Sequence, residues 1–284
     1  MSDSEDEQGL VLDSMFTARA SAQLKGEPPR PLTPPPTTAT YVREARPDIN
    51  SASSWSEVNI SLVGNHPLWG HHLWNASRSF ASYLDQNRTL YHGRNVLELG
   101  AGGGLPGIVA IKNGARKVVL TDYPDAPLIK NLEDNVHENM SPDEARRGHV
   151  QGYIWGQRVE PLLQSLAEVP EGKPQGFDLI IMSDLIFNHS QHDALLKTCE
   201  LTLSSWISES ADTDNEPCIL VFYSHHRPHL AERDMDFFRK ATERGWICSE
   251  IVTEKFPPMF PEDPGEEEVR ATVHGWKLIK RQQT

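Results

Sequence analysis

From residue 55 onward, the hydrophobic positions form short consecutive runs separated by longer segments with a helical repeat. Runs that are apolar at consecutive positions are typical of parallel strands covered on both faces. Between the runs, the segment from Pro127 to Asn139 has an apolar stripe at Leu128, Leu132 and Val136. Strands alternating with helices predict an α/β fold with a doubly wound, mostly parallel sheet. The five runs are NVLEL (95–99), KVVLT (117–121), VQGYIW (150–155), FDLIIMS (177–183) and CILVFYS (218–224).

The last two strand candidates, WICSEIV (246–252) and ATVHGWKLI (271–279), follow one another without an obvious helix. The segment between them contains Pro257, Pro258, Pro261 and Pro264, and we therefore predict no helix there. Two consecutive strands without a crossover pair antiparallel. The sequence therefore predicts a seven-stranded, Rossmann-like sheet that ends in an antiparallel C-terminal strand pair.

The first 54 residues have a different composition. Six prolines fall within the nine positions 28–36. Such a stretch lacks amide donors and favours an extended polyproline conformation. We predict a proline-rich, flexible N-terminal tail over residues 1–54 and a folded domain over residues 55–284.

The charge balance limits the partners. The chain has 27 basic and 40 acidic residues among 284, a formal net charge of −13. Nucleic-acid binders normally carry a basic excess, because Lys and Arg displace counterions from phosphates. We therefore expect no nucleic-acid partner and favour a basic protein partner.

Other features of the chain point to the cytoplasm. No apolar run approaches the roughly 18–20 residues that cross a bilayer, and the acidic start MSDSEDEQ is unlike a signal peptide. The three cysteines Cys199, Cys218 and Cys248 form no C-x-x-C pair, which argues against a disulfide framework or a zinc site. His225, His226 and His229 have no acidic or Cys neighbour in the sequence, so we expect no metal there either.

The strongest chemical signal is the segment VLELGAGGGLPG (96–107). A buried strand is followed by glycines, which permit a tight turn and a close approach of a ligand to the backbone. The register Gly102-x-Gly104-x-x-Gly107 matches the dinucleotide pattern. Asp122 ends the next strand, twenty residues after Gly102, where a carboxylate accepts hydrogen bonds from ribose hydroxyls. These features fit NAD as well as other adenosine nucleosides.

Glu98 favours one nucleoside over the others. Its carboxylate, two residues before Gly100, would repel a pyrophosphate and attract a cationic methionine group. A strand ending in Glu, one apolar residue and Gly-x-Gly is similar to the first motif of the seven-strand S-adenosylmethionine methyltransferases, whose last strands also pair antiparallel. We therefore expect S-adenosyl-L-methionine as cofactor. An NAD-dependent oxidoreductase and a non-catalytic adaptor remain alternatives.

Five stretches resemble methyltransferase family sixteen, in particular its fungal branch. The resemblance implies methyl transfer from S-adenosylmethionine to the N-terminal α-amine and an adjacent lysine of translation elongation factor one-alpha. Because the family is also described as nicotinamide N-methyltransferase-like, a small amine substrate stays open. The stretches are HPLWGHHLWNAS (66–77), NVLELGAGGGLPG (95–107), VVLTDYPD (118–125), GYIWG (152–156) and DLIIMSDLIFNHS (178–190).

The resemblance also implies roles for individual residues. Asp122 would bind the ribose, Trp155 would flank the adenine, and Ser183 would close the pocket. The other cofactor-binding positions are Trp74, Glu98, Gly100, Ala101 and Gly102.

The segment SDLIFN (183–188) follows the fourth strand, where the acceptor of this fold enters. We expect Asp184 to orient the amine and Phe187 to line the channel to the methyl group. Methyl transfer to an amine is a direct displacement that needs a neutral nucleophile. We therefore expect no Ser-His-Asp or Cys-His set.

Overall fold

The computed structural model describes residues 35–44, 55–64, 66, 70–166, 176–204 and 216–280. The strands are β1 (Thr37–Val42), β2 (Glu57–Leu62), β3 (Asn95–Leu99), β4 (Lys117–Asp122), β5 (Gly148–Gly152), β6 (Leu179–Ser183), β7 (Cys218–Ser224), β8 (Trp246–Lys255) and β9 (Thr272–Lys280). The α-helices are α1 (Asn75–Gln86), α2 (Leu105–Lys112), α3 (Ala126–Asn139), α4 (Pro142–Ala145), α5 (Glu160–Gln164), α6 (His192–Thr202), α7 (Ala231–Glu243) and α8 (Glu267–Ala271). Within these ranges, no helix combines the length and apolar character needed to cross a bilayer.

Seven strands form one sheet in the order β5-β4-β3-β6-β7-β9-β8. The pairs from β5 to β7 are parallel, whereas β9 pairs antiparallel with both β7 and β8. This topology confirms the predicted doubly wound sheet and its antiparallel end. The strand order reverses between β3 and β6, and ligands of such sheets bind in the crevice at the carboxyl ends of these strands.

Both faces of the sheet are covered by apolar side chains. All five residues of β3 and all seven of β7 are buried. Val96 belongs to the hydrophobic cluster on one face, and Leu97 and Leu99 belong to the cluster on the other. Since side chains alternate along a strand, two covered faces require consecutive apolar residues. This explains why the strands are visible in the sequence as unbroken apolar runs.

The connection between β8 and β9 differs from the prediction in one respect. It contains α8, a five-residue helix, although we predicted no helix there. The helix begins at Glu267, after the last proline of the segment, and therefore avoids the residues that disfavour a helix. The prolines restrict only the first part of the connection.

A small second sheet lies N-terminal to the large one. β1 pairs antiparallel with β2, with Tyr41 opposite Val58, although residues 37–42 fall within the predicted tail. Tyr41, Val58 and Ile60 are buried, and this burial stabilises a strand too short to be evident from its own sequence. The predicted tail is therefore wrong for residues 37–42. Its remaining parts, except for 35–36 and 43–44, lie outside the described residues.

Three asparagines spaced four apart on α3 connect this small sheet to the main domain. Asn139 exchanges two hydrogen bonds with the backbone of Asn59, at 3.0 and 2.8 Å. Asn135 does the same with Ser61, at 2.8 and 2.9 Å, and Asn131 donates to the Ser61 carbonyl at 2.9 Å. Their side-chain amides act as a neighbouring strand would, because they satisfy backbone groups on the open edge of β2.

Candidate active site

The turn after β3 combines left-handed backbone with close packing. Gly100 and Gly102 have φ values of +61° and +55°. A β-carbon on Gly100 would lie 2.5 Å from Leu185 Cδ2 and 3.2 Å from Trp155 Cζ2, so only glycine fits there. A β-carbon on Gly102 would meet no atom within 4 Å. The turn thus leaves open space above Gly102, while Trp155 and Leu185 pack over Gly100.

Asp122, the last residue of β4, supports this turn. One carboxylate oxygen accepts a hydrogen bond from the Gly102 amide at 2.7 Å, and the other accepts one from the Tyr123 amide at 2.7 Å. Burial raises the pKa of Asp122, and the two amide hydrogen bonds oppose that rise. Each oxygen keeps a second lone pair for a ligand hydroxyl. The carboxylate is therefore both a brace of the turn and an available acceptor.

Glu98 lies beneath the turn, where it is 1% exposed. Its Oε2 accepts a hydrogen bond from the Gly107 amide at 3.0 Å. Its Oε1 is buried and has no hydrogen-bond partner within the described ranges. Burial raises the pKa of Glu98 to about 8; the Gly107 hydrogen bond opposes this, and the nearby Asp122 adds to it. A buried acceptor without a donor is costly, so a cationic or donor group beside it would be stabilised.

Ser183 ends β6 and presents a second polar atom without a partner. Its hydroxyl is buried and makes no hydrogen bond to any described residue. The glycine turn, Asp122 and Ser183 thus lie at the carboxyl ends of three adjacent strands, β3, β4 and β6. Ala101 completes the turn, where its amide donates to the Thr121 carbonyl at 2.9 Å. Open space, unsatisfied polar atoms and an aromatic ring from Trp155 fit the cofactor that the sequence predicts.

Trp74, directly before α1, belongs to an aromatic group on the β7 side of the site. Its ring centroid lies 4.8 Å from that of His226, 5.2 Å from that of His72 and 6.0 Å from that of Phe260. Phe260 lies in the connection between β8 and α8. The structure therefore surrounds Trp74 with side chains from three separate parts of the chain.

Asp184 follows β6 and adopts a left-handed conformation with φ of +56°. Among the described residues, it alone has a positive φ without being glycine. Its amide donates to the Phe222 carbonyl at 2.7 Å, and its Oδ1 accepts from the Ser224 amide at 3.2 Å. Backbone strain of this kind persists where neighbouring contacts enforce it, often at functional sites. Asp184 is thus held firmly against β7.

The residues after Asp184 divide between the core and the surface. Leu185 and Ile186 are buried, whereas Phe187 is 45% exposed. Ile154, next to Trp155 after β5, is likewise exposed. Phe187 is therefore available to contact another molecule at the carboxyl ends of the strands.

Two histidines after β7 have acidic partners that are distant in sequence. His226 Nε2 lies 3.1 Å from Asp184 Oδ2, and His225 Nδ1 lies 2.7 Å from Asp234 Oδ2. These histidines lack acidic neighbours in the sequence but have them in the folded structure, contrary to the prediction. No group of three metal-ligating side chains occurs in the described part of the chain. His225 and His226 directly follow the carboxyl end of β7, and this position in the sequence is the signal that could have identified them as candidate site residues.

Comparison with known proteins assigns this chain to a family. A family model described as lysine methyltransferase matches residues 60–244. A Cryptococcus neoformans protein named protein N-terminal and lysine N-methyltransferase EFM7 is 46% identical over 284 residues, covering 97% of this chain and 90% of the relative. The Schizosaccharomyces pombe protein of the same name is 41% identical over 249 residues, covering 88% and 91%.

A solved structure from Streptococcus mutans, described as a SAM-dependent methyltransferase, shares the fold. Its TM-score is 0.50 at 13% identity, covering 78% of this chain and 53% of that one. The match to the family model and the identity to two relatives over nearly their whole length also decide against the NAD-dependent oxidoreductase alternative. The chain thus belongs to the lysine methyltransferase family.

Proposed function

We propose that this protein transfers methyl groups from S-adenosylmethionine to the N-terminal α-amine and the adjacent lysine of a protein, namely translation elongation factor one-alpha in the cytoplasm. The relatives named for both N-terminal and lysine methylation support the reaction. The observation that carries it is the packing of Leu185 over Gly100, since it brings the loop of Asp184 directly beside the glycine turn.

The cofactor would lie along the carboxyl ends of β3, β4 and β6. S-adenosylmethionine supplies a methyl group bound to a positively charged sulfur. Asp122 would accept hydrogen bonds from the ribose, and Trp155 would flank the adenine. The unpartnered atoms of Glu98 and Ser183 would face the polar parts of the ligand. The remaining contacts would come from Trp74, Gly100, Ala101 and Gly102.

The residues around the acceptor would align the amine and exclude water. Alignment of this kind contributes up to about 7–11 kcal/mol to the lowering of a barrier. An α-amine has a pKa of about 7.7–8.0 and a lysine of about 10.4, so both enter mainly as cations at neutral pH. The Asp184 carboxylate would attract and orient the cation, and the exposed ring of Phe187 would guide the chain that carries it.

A protein substrate fits the exposed surface better than an isolated small amine does. Phe187 and Ile154 present apolar side chains near the carboxyl ends of the strands, where the glycine turn also lies. Exposed apolar side chains at a site favour contact with another macromolecule. The net charge of −13 favours a basic segment.

The test uses the purified protein with S-adenosylmethionine carrying a tritiated methyl group. The acceptors are recombinant elongation factor one-alpha with a free N-terminus, the same protein with an acetylated N-terminus, and nicotinamide. We expect label on the N-terminal residue and the adjacent lysine, located by mass spectrometry, and loss of the N-terminal label after acetylation. Labelled nicotinamide with unlabelled elongation factor would contradict the proposal.

A further inference from the structure

We propose that His226 is a catalytic residue of this site, the proton acceptor for the substrate amine, held in position by Asp184. The inference rests on the proposed function, because it concerns the amine that is methylated. The loop after β6 contacts the segment after β7. Here His226 Nε2 lies 3.1 Å from Asp184 Oδ2.

The contact determines which ring nitrogen can accept a proton. A carboxylate oxygen only accepts hydrogen bonds, so Nε2 of a neutral His226 carries the hydrogen. The lone pair of the neutral ring is then on Nδ1, which hydrogen-bonds to no described residue. A base whose second nitrogen is oriented by a carboxylate is the arrangement that prepares histidine for proton transfer.

The imidazole is partly accessible, whereas the carboxylate that it contacts is buried. Its side chain is 19% exposed, whereas that of Asp184 is 4% exposed. The Trp74 ring lies against it with a centroid distance of 4.8 Å. Met259 and Phe260 line a small pocket with it. An amine directed towards Asp184 would therefore meet His226 on the way.

The surrounding charges favour a basic imidazole. Burial alone lowers the pKa of His226, but the charge and hydrogen bond of Asp184 outweigh it, and Asp234 on α7 and Asp263 before α8 add to the rise. The Arg270 guanidinium from α8 lines the same pocket and opposes it. His72 also lies against Trp74, and burial lowers the pKa of His72, so it adds little positive charge at neutral pH.

Proton transfer to His226 precedes methyl transfer. The N–H bond of the substrate ammonium breaks, and its proton moves to Nδ1 of His226, giving an imidazolium beside the Asp184 carboxylate. The lone pair of the neutral amine then forms the N–C bond to the methyl group. The S–C bond breaks at the same time, and its electron pair stays on sulfur. The imidazolium releases its proton to water before the next turnover.

The decisive variant is His226→Gln, with His229→Gln as the matched control at an exposed position three residues away. Glutamine keeps a donor that can reach Asp184 but cannot take up a proton. We expect kcat for a peptide with a free α-amine to fall about a hundredfold at pH 7 in His226→Gln. The deficit should shrink towards pH 9, because the α-amine, with a pKa of about 7.7–8.0, is then already neutral. The control should match the wild type throughout.

Binding and spectroscopy provide readouts other than turnover. Calorimetry should give an S-adenosylhomocysteine affinity for His226→Gln within about twofold of the wild type. NMR of the histidine rings should assign His226 a pKa above the ordinary 6.5 that falls in Asp184→Asn. The wild-type His226 ring signals should also shift when an acceptor peptide binds.

The outcomes separate the two proposals. The role of His226 would be overturned by wild-type turnover in His226→Gln, or by a loss of kcat that is the same from pH 7 to pH 9. It would also be overturned if the His226 ring signals did not shift when the peptide binds. Methyl transfer by the wild type and the control in the same assay would then leave the proposed function standing. An absence of methyl transfer in both would refute the proposed function, and this inference with it.

Discussion

At the scale of single residues, the site depends on two carboxyl groups, the half-buried Asp122 and the buried Glu98, that bind backbone amides of the turn and of the helix after it. Asp122 binds the turn itself through the Gly102 amide, and Glu98 binds the first turn of α2, which follows directly, through the Gly107 amide. Burial raises the pKa of both groups. Backbone amides that converge on carboxylates fix the shape of the turn before a ligand arrives. The turn is therefore preorganised rather than shaped by the ligand.

Asp122→Asn tests the role of this carboxylate. One oxygen becomes an NH2 group that cannot accept from the Gly102 or Tyr123 amide, and the ribose loses a charged acceptor. We expect the affinity for S-adenosylhomocysteine, measured by calorimetry, to fall about 10- to 100-fold, as for the loss of a charged hydrogen bond worth about 1.5–3 kcal/mol. As a control, Asp134→Asn on α3, where the side chain is 47% exposed, should bind as the wild type does. An unchanged affinity in Asp122→Asn would remove this residue from the cofactor site.

Glu98→Gln tests the buried carboxyl group through the pH dependence of stability. The folded-state pKa of Glu98 is about 8, against about 4.3 in an unfolded chain, so the folded state binds the extra proton between these values. The contribution of this group to stability is therefore present at low pH and is lost as pH rises to about 8. The maximal slope is about 1.4 kcal/mol per pH unit.

Glutamine is neutral at every pH and can still accept from the Gly107 amide. We expect the ligand-free wild type to lose stability relative to Glu98→Gln between pH 6 and pH 8, measured as the free energy of unfolding in urea. The difference between the two proteins should level off above pH 8. A difference that does not change with pH would show that Glu98 is ionised in the folded protein.

At the scale of elements, the small sheet β1–β2 is connected to the active site through α3. Asn135 bonds both backbone groups of Ser61 and also donates to the Gly103 carbonyl at 3.1 Å. Gly103 belongs to the turn that carries the site. One buried side chain thus links an N-terminal strand, a helix and the glycine turn, so the small sheet supports the site although it lies outside the main sheet.

Asn135→Ala should show how much this link contributes. It leaves the half-buried Ser61 amide and the buried Gly103 carbonyl without their partner, so we expect a loss of about 2–4 kcal/mol in the free energy of unfolding. The control Asn131→Ala removes one bond from a half-buried position and should cost about 1 kcal/mol. Chemical denaturation measures both variants. Equal losses would mean that the contact with the glycine turn contributes nothing.

At the scale of the whole molecule, charge favours association with a basic partner. The formal net charge is −13, and the exposed residues Glu262, Glu266 and Glu267 lie in the connection that also carries Phe260. Phe260 borders Trp74 and His226. Negative charge beside a site raises the local concentration of a cationic substrate, and salt screens this effect over about 10 Å at 0.1 M.

We therefore expect kcat/KM for a lysine-containing peptide to fall several-fold between about 20 and 300 mM NaCl, mainly through KM. The triple variant Glu262→Gln, Glu266→Gln, Glu267→Gln should have a lower kcat/KM at low salt, and its kcat/KM should depend less on salt. Steady-state kinetics at fixed pH measures both proteins. An equal salt dependence in the two would place the attraction elsewhere on the surface.

Local patterns determined much of this protein. Consecutive apolar runs fixed the strands, because parallel strands are buried on both faces, and the spacing from Gly102 to Asp122 identified the nucleoside-type turn. The antiparallel end followed from the absence of a long crossover helix. In each case the information lies within about twenty residues, where periodicity and spacing can be observed directly.

Tertiary structure alone decided the rest. Thr37–Val42 became a strand because β2 and the core bury Tyr41, and the Asn135 link to Ser61 joins residues 74 positions apart. The pairing of His226 with Asp184 spans 42 positions. No periodicity encodes such contacts, because they arise only when elements that are distant in the chain are placed side by side. The sequence therefore located the glycine turn, Asp122 and Asp184, whereas the fold brought His226 to Asp184.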